Sequence, residues 1–250
     1  MDNNLWGVYS NGSLKIFLIT STFFMFIHPK NITIWKDGQD VLAIPEILRN
    51  IVHLKNIRDF DYGDESTRVV QKYFDNDYDI DTIVNCTLYS VPFGKSWIYS
   101  HLILGFHFDD GQELVLSVEA RRRPDEDFSV IKGFLPYYGL IYIWWTPKDL
   151  LGLRLHVRKD TIYAYKITFD KKICQKIFLD CLKRTDTLIS HPETYGSLLN
   201  NCTTNIIKHC TDSLELPYPS FDYRVILSGK IEGYLREMRW TNAVVRLGDY

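Results

Sequence analysis

The sequence predicts an α+β domain in which an antiparallel sheet packs on helices, and three stretches carry that reading. Ile98–Phe108 and Glu113–Ala120 alternate in polarity about an Asp109-Asp110-Gly111 turn, the pattern of a hairpin. Asp170–Ser190 sets Ile173, Ile177, Leu182 and Leu188 near helical spacing, behind an aspartate suited to cap it. Thr203–Thr211 reads as a second helix, entered through Asn200-Asn201-Cys202, with either asparagine as N-cap.

Composition bounds the function. The 250 residues make one large domain or two small ones, and 46% hydrophobic residues support a sizeable core. A net charge of -2 argues against a nucleic-acid partner, which needs a basic surface. The five cysteines (86, 174, 181, 202 and 210) are odd in number and lack a C-x-x-C pair, which argues against a disulfide framework or a zinc site. No cofactor is implied.

Taken in order, the chain opens with Lys15 and a twelve-residue apolar run, Ile16–Ile27. It is shorter than the ~20 residues of a membrane span and suits the core of a signal peptide. His28-Pro29-Lys30 ends it, and no A-x-A site follows, so an uncleaved anchor is the alternative. Residues 1–30 are therefore expected to be a signal or anchor segment, and 31–250 a catalytic domain outside the cytoplasm. Ile32–Trp35 and Ile51–Leu54 look like short strands, with Ile57–Tyr62 continuing the second. Asp75, Asp77, Asp79 and Asp81 alternate, but Ile80 and Cys86 stand where a calcium loop needs its Gly and Glu. A solvated loop leading into a strand at Thr82–Ser90 is expected instead. Further on come a buried strand at Ile141–Trp145, a short helix or turn at Pro147–Gly152 and a strand at Thr161–Ile167. His191-Pro192 ends the long helix, and a short one is expected around Lys230–Met238.

The hairpin's register decides which side chains meet. A three-residue loop with Gly111 left-handed puts Phe108 opposite Gln112, and the same sum puts His101 opposite Glu119. A two-residue loop would put Ala120 there; Asp-Asp-Gly favours the longer one. Directly opposed residues share a face, so Glu119 could orient His101 and favour its charged form. His107 shares that face and is the alternative base. Cys202 would sit at the positive end of a helix dipole, among free N–H groups that favour thiolate. The alternative is a packed structural thiol, the reading given to Cys174, Cys181 and Cys210. Thiolate, base and orienting carboxylate are the parts of a cysteine-nucleophile triad.

Several ordered stretches carry a resemblance: Tyr99-Ser-His101-Leu-Ile-Leu-Gly-Phe106-His-Phe-Asp-Asp-Gly111, Leu116-Ser-Val-Glu119-Ala-Arg-Arg122, Leu140-Ile-Tyr142 and Asn200-Asn-Cys202-Thr-Thr-Asn205. Together with Ile57–Tyr62 and Tyr78–Asp81 they resemble the DUF4105 family over roughly residues 32 to 215. Its best-known members are the Lnb-type lipoprotein acyltransferases. The resemblance implies a circularly permuted papain-like fold of the NlpC/P60 type, with the histidine strand ahead of the cysteine helix. It implies Cys202 as nucleophile and His101 as partner, with Glu119 as third member resting on the hairpin register. The Cys202 N–H with Asn201 or Asn205 would hold the oxyanion, and Arg121 and Tyr138 are candidate substrate contacts. Pro136-Tyr-Tyr138-Gly139 departs from the family, where a more polar stretch with an acidic residue is expected. The implied activity is acyl transfer to or from a lipoprotein, lipid or cell-envelope peptide, with the membrane reached through the N-terminal segment. Cell-envelope amide hydrolysis and a silent binding module are the alternatives.

The N-terminal reading is testable by itself. Residues 1–40 fused to a reporter active only outside the cytoplasm should give signal. A silent reporter made in good yield would overturn it.

Overall fold

Ten strands join one sheet, and its two faces are both covered. The computed structural model describes residues 34–63, 69–94, 98–129, 131–135 and 137–248. The signal or anchor segment expected at 1–30 lies outside the described residues. The strands are β1 (Ile44–Leu48), β2 (Ile51–Arg58), β3 (Asp61–Tyr62), β4 (Val69–Val70), β5 (Tyr73–Asp79), β6 (Ile83–Pro92), β7 (Ser100–Phe108), β8 (Glu113–Arg121), β9 (Tyr138–Trp145), β10 (Ile162–Ile167), β11 (Thr194–Tyr195) and β12 (Thr241–Leu247). The spatial order is β1-β2-β9-β8-β7-β6-β10-β12, with β5 also on β2 and β11 on β9. Strands β3 and β4 pair apart from it. All pairings are antiparallel except a single rung between Arg58 and Trp145. The α+β architecture, a sheet packed against helices, is as the sequence predicts.

Alternation along the central strands sorts the core into two layers. Even-numbered residues of β7, β8 and β9, among them Leu104, Phe106, Leu116 and Trp144, face helix α2 (Lys171–Ser190) and helix α3 (Cys202–Ser213). Ile177 and Phe178 of α2 and Ile206 and Ile207 of α3 complete that layer. Odd-numbered residues, among them Ile103, Val115, Ile143 and Trp145, face Leu150 of a short helix, α1 (Pro147–Leu151). A sheet buried on both faces needs apolar residues at successive positions, which is why β7 to β9 are apolar almost throughout. Asp170 caps α2 by accepting from the Ile173 N–H at 2.9 Å, and the helix stops before His191.

The structure corrects three local expectations. The acidic run at 75–81 is no loop: it is strand β5 and a 3-10 turn at Ile80–Thr82. Asp75 and Asp77 point to solvent, while Tyr78, between Asp77 and Asp79, is buried, so the alternation is that of a strand lying on β2. Ile34 and Trp35 form no strand; Ile32 and Thr33 lie outside the described residues. Beyond the expected helix (Ile231–Glu237), β12 adds a strand against β10. Among the described residues, no helix is long and apolar enough to cross a membrane.

One buried ion pair ties the layers together. The Asp149 carboxylate of α1 accepts from Arg58 Nε at 3.0 Å, the Phe60 N–H at 2.8 Å and the Tyr62 hydroxyl at 2.8 Å. The Arg58 guanidinium lies over the Trp145 and Phe60 rings. Removing one partner of such a pair leaves an uncompensated buried charge, at about 3–5 kcal/mol. Asp149→Ala should lower the urea midpoint accordingly, and Arg58→Met with Asp149→Leu should cost less than Asp149→Ala alone. Equal midpoints for wild type and Asp149→Ala would show that the pair holds nothing.

Candidate active site

The site starts from a gap in the sheet. Phe108 donates its N–H to the Gln112 carbonyl at 2.9 Å, across a three-residue loop with Gly111 at φ 85°. Ile103 then lies opposite Ser117, and His107 opposite Glu113. In an antiparallel ladder, hydrogen-bonded residues alternate. Phe108 is one, so Leu102 should be another, bonded to Val118 of β8. That rung is missing: the β7–β8 pairing ends at Ile103–Ser117, although β8 continues along β9 to Arg121–Gly139 and β7 along β6 to Ser100–Pro92. The two strands part at His101, and the Leu102 N–H faces the sulfur of Cys202 instead.

Cys202 is the first residue of α3. Asn201 is the N-cap: its side-chain oxygen accepts from the Thr204 N–H at 3.0 Å, and Thr204 Oγ1 accepts from the Asn201 N–H at 2.8 Å. Such a reciprocal box fixes the first turn. Asn201 Nδ2 donates to the Ser197 carbonyl at 2.7 Å. Asn205 donates to Asn200 Oδ1 and to the Asn201 carbonyl, both at 2.9 Å, and accepts from the Tyr142 hydroxyl at 3.0 Å. Tyr142 also meets His209 Nε2 at 2.8 Å, and His209 Nδ1 meets Asp180 at 2.6 Å. The two asparagines, read from the sequence as oxyanion donors, therefore spend their side-chain N–H groups on Ser197, Asn200 and Asn201 at the start of α3, and Asn205 Oδ1 ties the helix to Tyr142 of the sheet.

On the other side of the gap stands a chain of three side chains. His101 Nε2 lies 2.7 Å from Ser117 Oγ, and Ser117 donates to Glu119 Oε1 at 3.0 Å. Glu119 itself is 3.8 Å from His101 Nε2 and also accepts from Gln39 Nε2 at 3.2 Å. The register thus brings Glu119 to His101, but through Ser117, two residues before it on the same face. Sequence reasoning passed over this serine, although the alternation places it beside the histidine. His101 Nδ1 makes no hydrogen bond among the described residues. The alternative base, His107, lies six residues along β7, about 20 Å at ~3.3 Å per residue, and bonds Thr87.

Cys202 and His101 are both buried and reach the gap from opposite faces: the thiol belongs to the helix-side core, the imidazole to the other layer. No hydrogen bond joins them among the described residues; the side-chain partner of the sulfur is Thr203 Oγ1 at 3.9 Å. A cavity of about 140 Å³ opens at His101 and one of about 30 Å³ at Cys202, and both are walled by Phe93, Phe128 and Tyr195. The Tyr195 hydroxyl faces the Cys202 backbone N–H as well as its thiol. That residue, on the two-residue strand β11, carries no pattern in the sequence.

Charge at the site differs from the expectation of a thiolate. Burial pushes the Cys202 thiol up, against the opposing pull of the Leu102 and Thr203 donors, and the Glu119 charge raises it further. Burial, with Arg154 next, depresses His101 to about 3, although Glu119 works the other way. Burial would raise Glu119, but His101, Arg154 and Arg58 hold it at about 2. At neutral pH the site is therefore a neutral thiol, a neutral imidazole and a carboxylate.

The remaining candidates serve the frame. Arg121 donates to the Gln39 and Asp40 carbonyls at 2.7 and 3.1 Å and lies over Trp35. The Tyr138 hydroxyl donates to the Asp127 carbonyl at 2.9 Å and accepts from the Ser129 N–H at 3.0 Å. Neither lines the two cavities.

These charges set a pH profile. With its pKa raised, Cys202 holds less thiolate below pH 9 than a free cysteine, so its alkylation by iodoacetamide should climb through pH 9 without an acid plateau. Glu119→Gln removes a charge that opposes thiolate and should move the curve to lower pH. Peptide mass spectrometry of Cys202 reads this out; a plateau below pH 7 would mean a thiolate–imidazolium pair.

No curated protein and no solved structure matches the chain. Residues 70–229, more than half of it, match the family model described as the Lnb N-terminal periplasmic domain. That span holds β7, β8 and α3, and with them His101, Ser117, Glu119 and Cys202. The chain belongs to the Lnb N-terminal periplasmic domain family.

Proposed function

We propose that the protein is an extracytoplasmic thiol-dependent acyltransferase that works through an acyl-Cys202 intermediate, with a lipoprotein or lipid ester as donor. The observation that carries this reading is the sheet gap: a buried thiol at a helix N-terminus faces a free strand N–H, one residue from a histidine oriented through Ser117 by a carboxylate. A permuted papain-like relationship fits the chain order His101, Glu119, Cys202. The family's periplasmic description supports the compartment, and the apolar run at 16–27 would reach the membrane.

The neutral ground state makes His101 a general base. As Cys202 Sγ attacks the ester carbonyl, its proton passes to the imidazole, and the carbonyl oxygen gains the negative charge. The Tyr195 hydroxyl, which itself faces the Cys202 N–H, would be a donor to that oxyanion. Collapse of the tetrahedral adduct breaks the C–O bond, and the departing oxygen takes the proton from His101. An amine then attacks the thioester, gives its proton to His101 and restores the thiol. Loss of one oxyanion donor typically costs about 2.7–4 kcal/mol of transition-state stabilisation, and loss of a general base about 10²–10⁴-fold in rate.

The second reading, amide hydrolysis of cell-envelope peptides, uses the same steps with water as acceptor. Incubating the full chain with diacylated lipopeptide and, separately, with peptidoglycan fragments distinguishes the two by product mass. Acyl transfer should be lost in Cys202→Ser, fall about 10²-fold or more in His101→Ala and fall less in Ser117→Ala. Activity that survives Cys202→Ser would overturn the mechanism; cleaved fragments with untouched lipopeptide would select the hydrolase.

A further inference from the structure

Exposed apolar side chains gather around the opening of the Cys202 cavity. Ile131 and Phe134 stand on the loop before β9, and Ile131 is 79% exposed. Leu199, just ahead of the thiol, is 88% exposed, and Phe221, beside the short helix Tyr223–Ile226, is 97% exposed. Ile98 and Ile226 are exposed as well. Backbone contacts bring these stretches together. The Ser197 N–H donates to the Gly133 carbonyl at 2.7 Å and the Gly229 N–H to the Ile98 carbonyl at 2.9 Å, while Ser197 and Ile226 line the cavity itself. Single exposed apolar residues are ordinary, but several around one opening mark an interaction surface. The only carboxylate among the described residues of these stretches, Asp222, is spent on Arg224, which donates to it from Nε at 2.9 Å and from Nη2 at 2.6 Å. Lys132 and Lys230 flank the rim and are exposed.

The rim lies at the end of the sheet where the described chain enters. β6 ends at Pro92 against Ser100 of β7, and β8 ends at Arg121 against Gly139 of β9, so these strand termini share one end. The Lys36 N–H donates to the Arg122 carbonyl at 2.9 Å at that same end. Only residues 28–33 separate Ile34 from the apolar run at 16–27. Fully extended, a segment of that length spans at most about 20 Å. The opposite end of the sheet lies the length of β7 away, roughly 30 Å at ~3.3 Å per residue.

We infer that this end of the domain is a membrane-docking surface, with the apolar rim seated in the headgroup layer and the Cys202 cavity opening onto it. Aliphatic and phenyl groups with flanking lysines suit that layer, where apolar side chains meet acyl chains and ammonium groups meet lipid phosphates. The rim residues stand on separate loops, whereas a protein interface needs a core of matched shape. A fluid apolar layer needs none. The surface rests on the extracytoplasmic reading above and on the apolar run reaching the membrane; it does not rest on acyl transfer.

The test is fluorescence quenching of the full chain in phosphatidylcholine–phosphatidylglycerol vesicles whose acyl chains carry bromine near the headgroup. Ile131→Trp and Leu199→Trp are compared with Leu48→Trp. Leu48 is 72% exposed and lies at the opposite end of the sheet, beside the turn where the Ile80 N–H donates to the Asn50 carbonyl. Emission above the wild-type background should fall about twofold or more on bromination for Ile131→Trp and Leu199→Trp, as for side chains seated at the headgroup–acyl boundary, and stay unchanged for Leu48→Trp. Adding Phe134→Glu and Phe221→Glu to Leu199→Trp should remove most of that quenching with the circular dichroism unchanged. No quenching at 131 and 199, or equal quenching at 48, 131 and 199, would overturn the surface. A dimer that the two glutamates dissociate, without quenching, would assign the rim to a second copy and overturn it too. The measurement reads no turnover, so failure of acyl transfer leaves it unaffected, and its own failure leaves acyl transfer standing.

Discussion

The missing rung between Leu102 and Val118 is the constraint on which the rest of the site depends. A closed ladder would bond the Leu102 N–H to β8 and put a continuous layer of backbone between His101 and α3. Because β8 follows β9 and β7 follows β6, the strands separate, and the freed donor faces the Cys202 thiol. Both edges of the opening are pinned. Ser228 accepts the Ser100 N–H and donates to the Ser100 carbonyl, both at 2.8 Å, which fixes the start of β7. The Tyr142–Asn205 and Tyr142–His209 bonds fix α3 from beneath. Without those anchors the helix N-terminus could slide along the sheet, and the thiol would lose its strand donor.

The same burial that builds the opening sets its charge state. A helix N-terminus offers several N–H groups to an anion, but here the third is already bonded to Asn201 Oδ1. The cap that defines where the helix begins competes for the donors a thiolate would use. What remains for the sulfur is the Leu102 and Thr203 backbone, and desolvation outweighs both. His101 obeys the same balance: a single carboxylate two bonds away does not offset burial and the Arg154 charge. Under the proposed acyl transfer, such a site would move a proton during attack rather than store an ion pair beforehand.

Much of this was legible in the sequence, for definable reasons. Asp-Asp-Gly sets a loop length, loop length sets register, and register brings His101 to Glu119 on one face. Asn201 and Asp170 were readable as caps because capping is local chemistry. The acidic strand β5 was misread because its charges dominate composition, while Tyr78, its one fully buried side chain, is spaced at period two among them. Strands β11 and β12 are held by partners far away in sequence, so no local pattern marks them. Ser117 was readable in principle: a residue two before the carboxylate shares its face. The parting of β7 and β8 was not, because it depends on which outer strand each one follows.

The arrangement of the two cavities bears on what kind of substrate suits them. Phe93, Phe128 and Tyr195 wall both, with Phe128 centred 6.1 Å from Phe93 and 6.0 Å from Tyr195. An aromatic partition of this kind places apolar surface between a cationic side and a thiol side. A peptide would have to bury its polar backbone against those rings without matching donors, at a desolvation cost. Under the acyl-transfer proposal, the methylenes of an amphiphilic ester would lie on the rings with its carbonyl at the thiol. The aromatic wall is the ground on which the proposal ranks an amphiphilic ester, and acyl transfer, above an envelope peptide and amide hydrolysis.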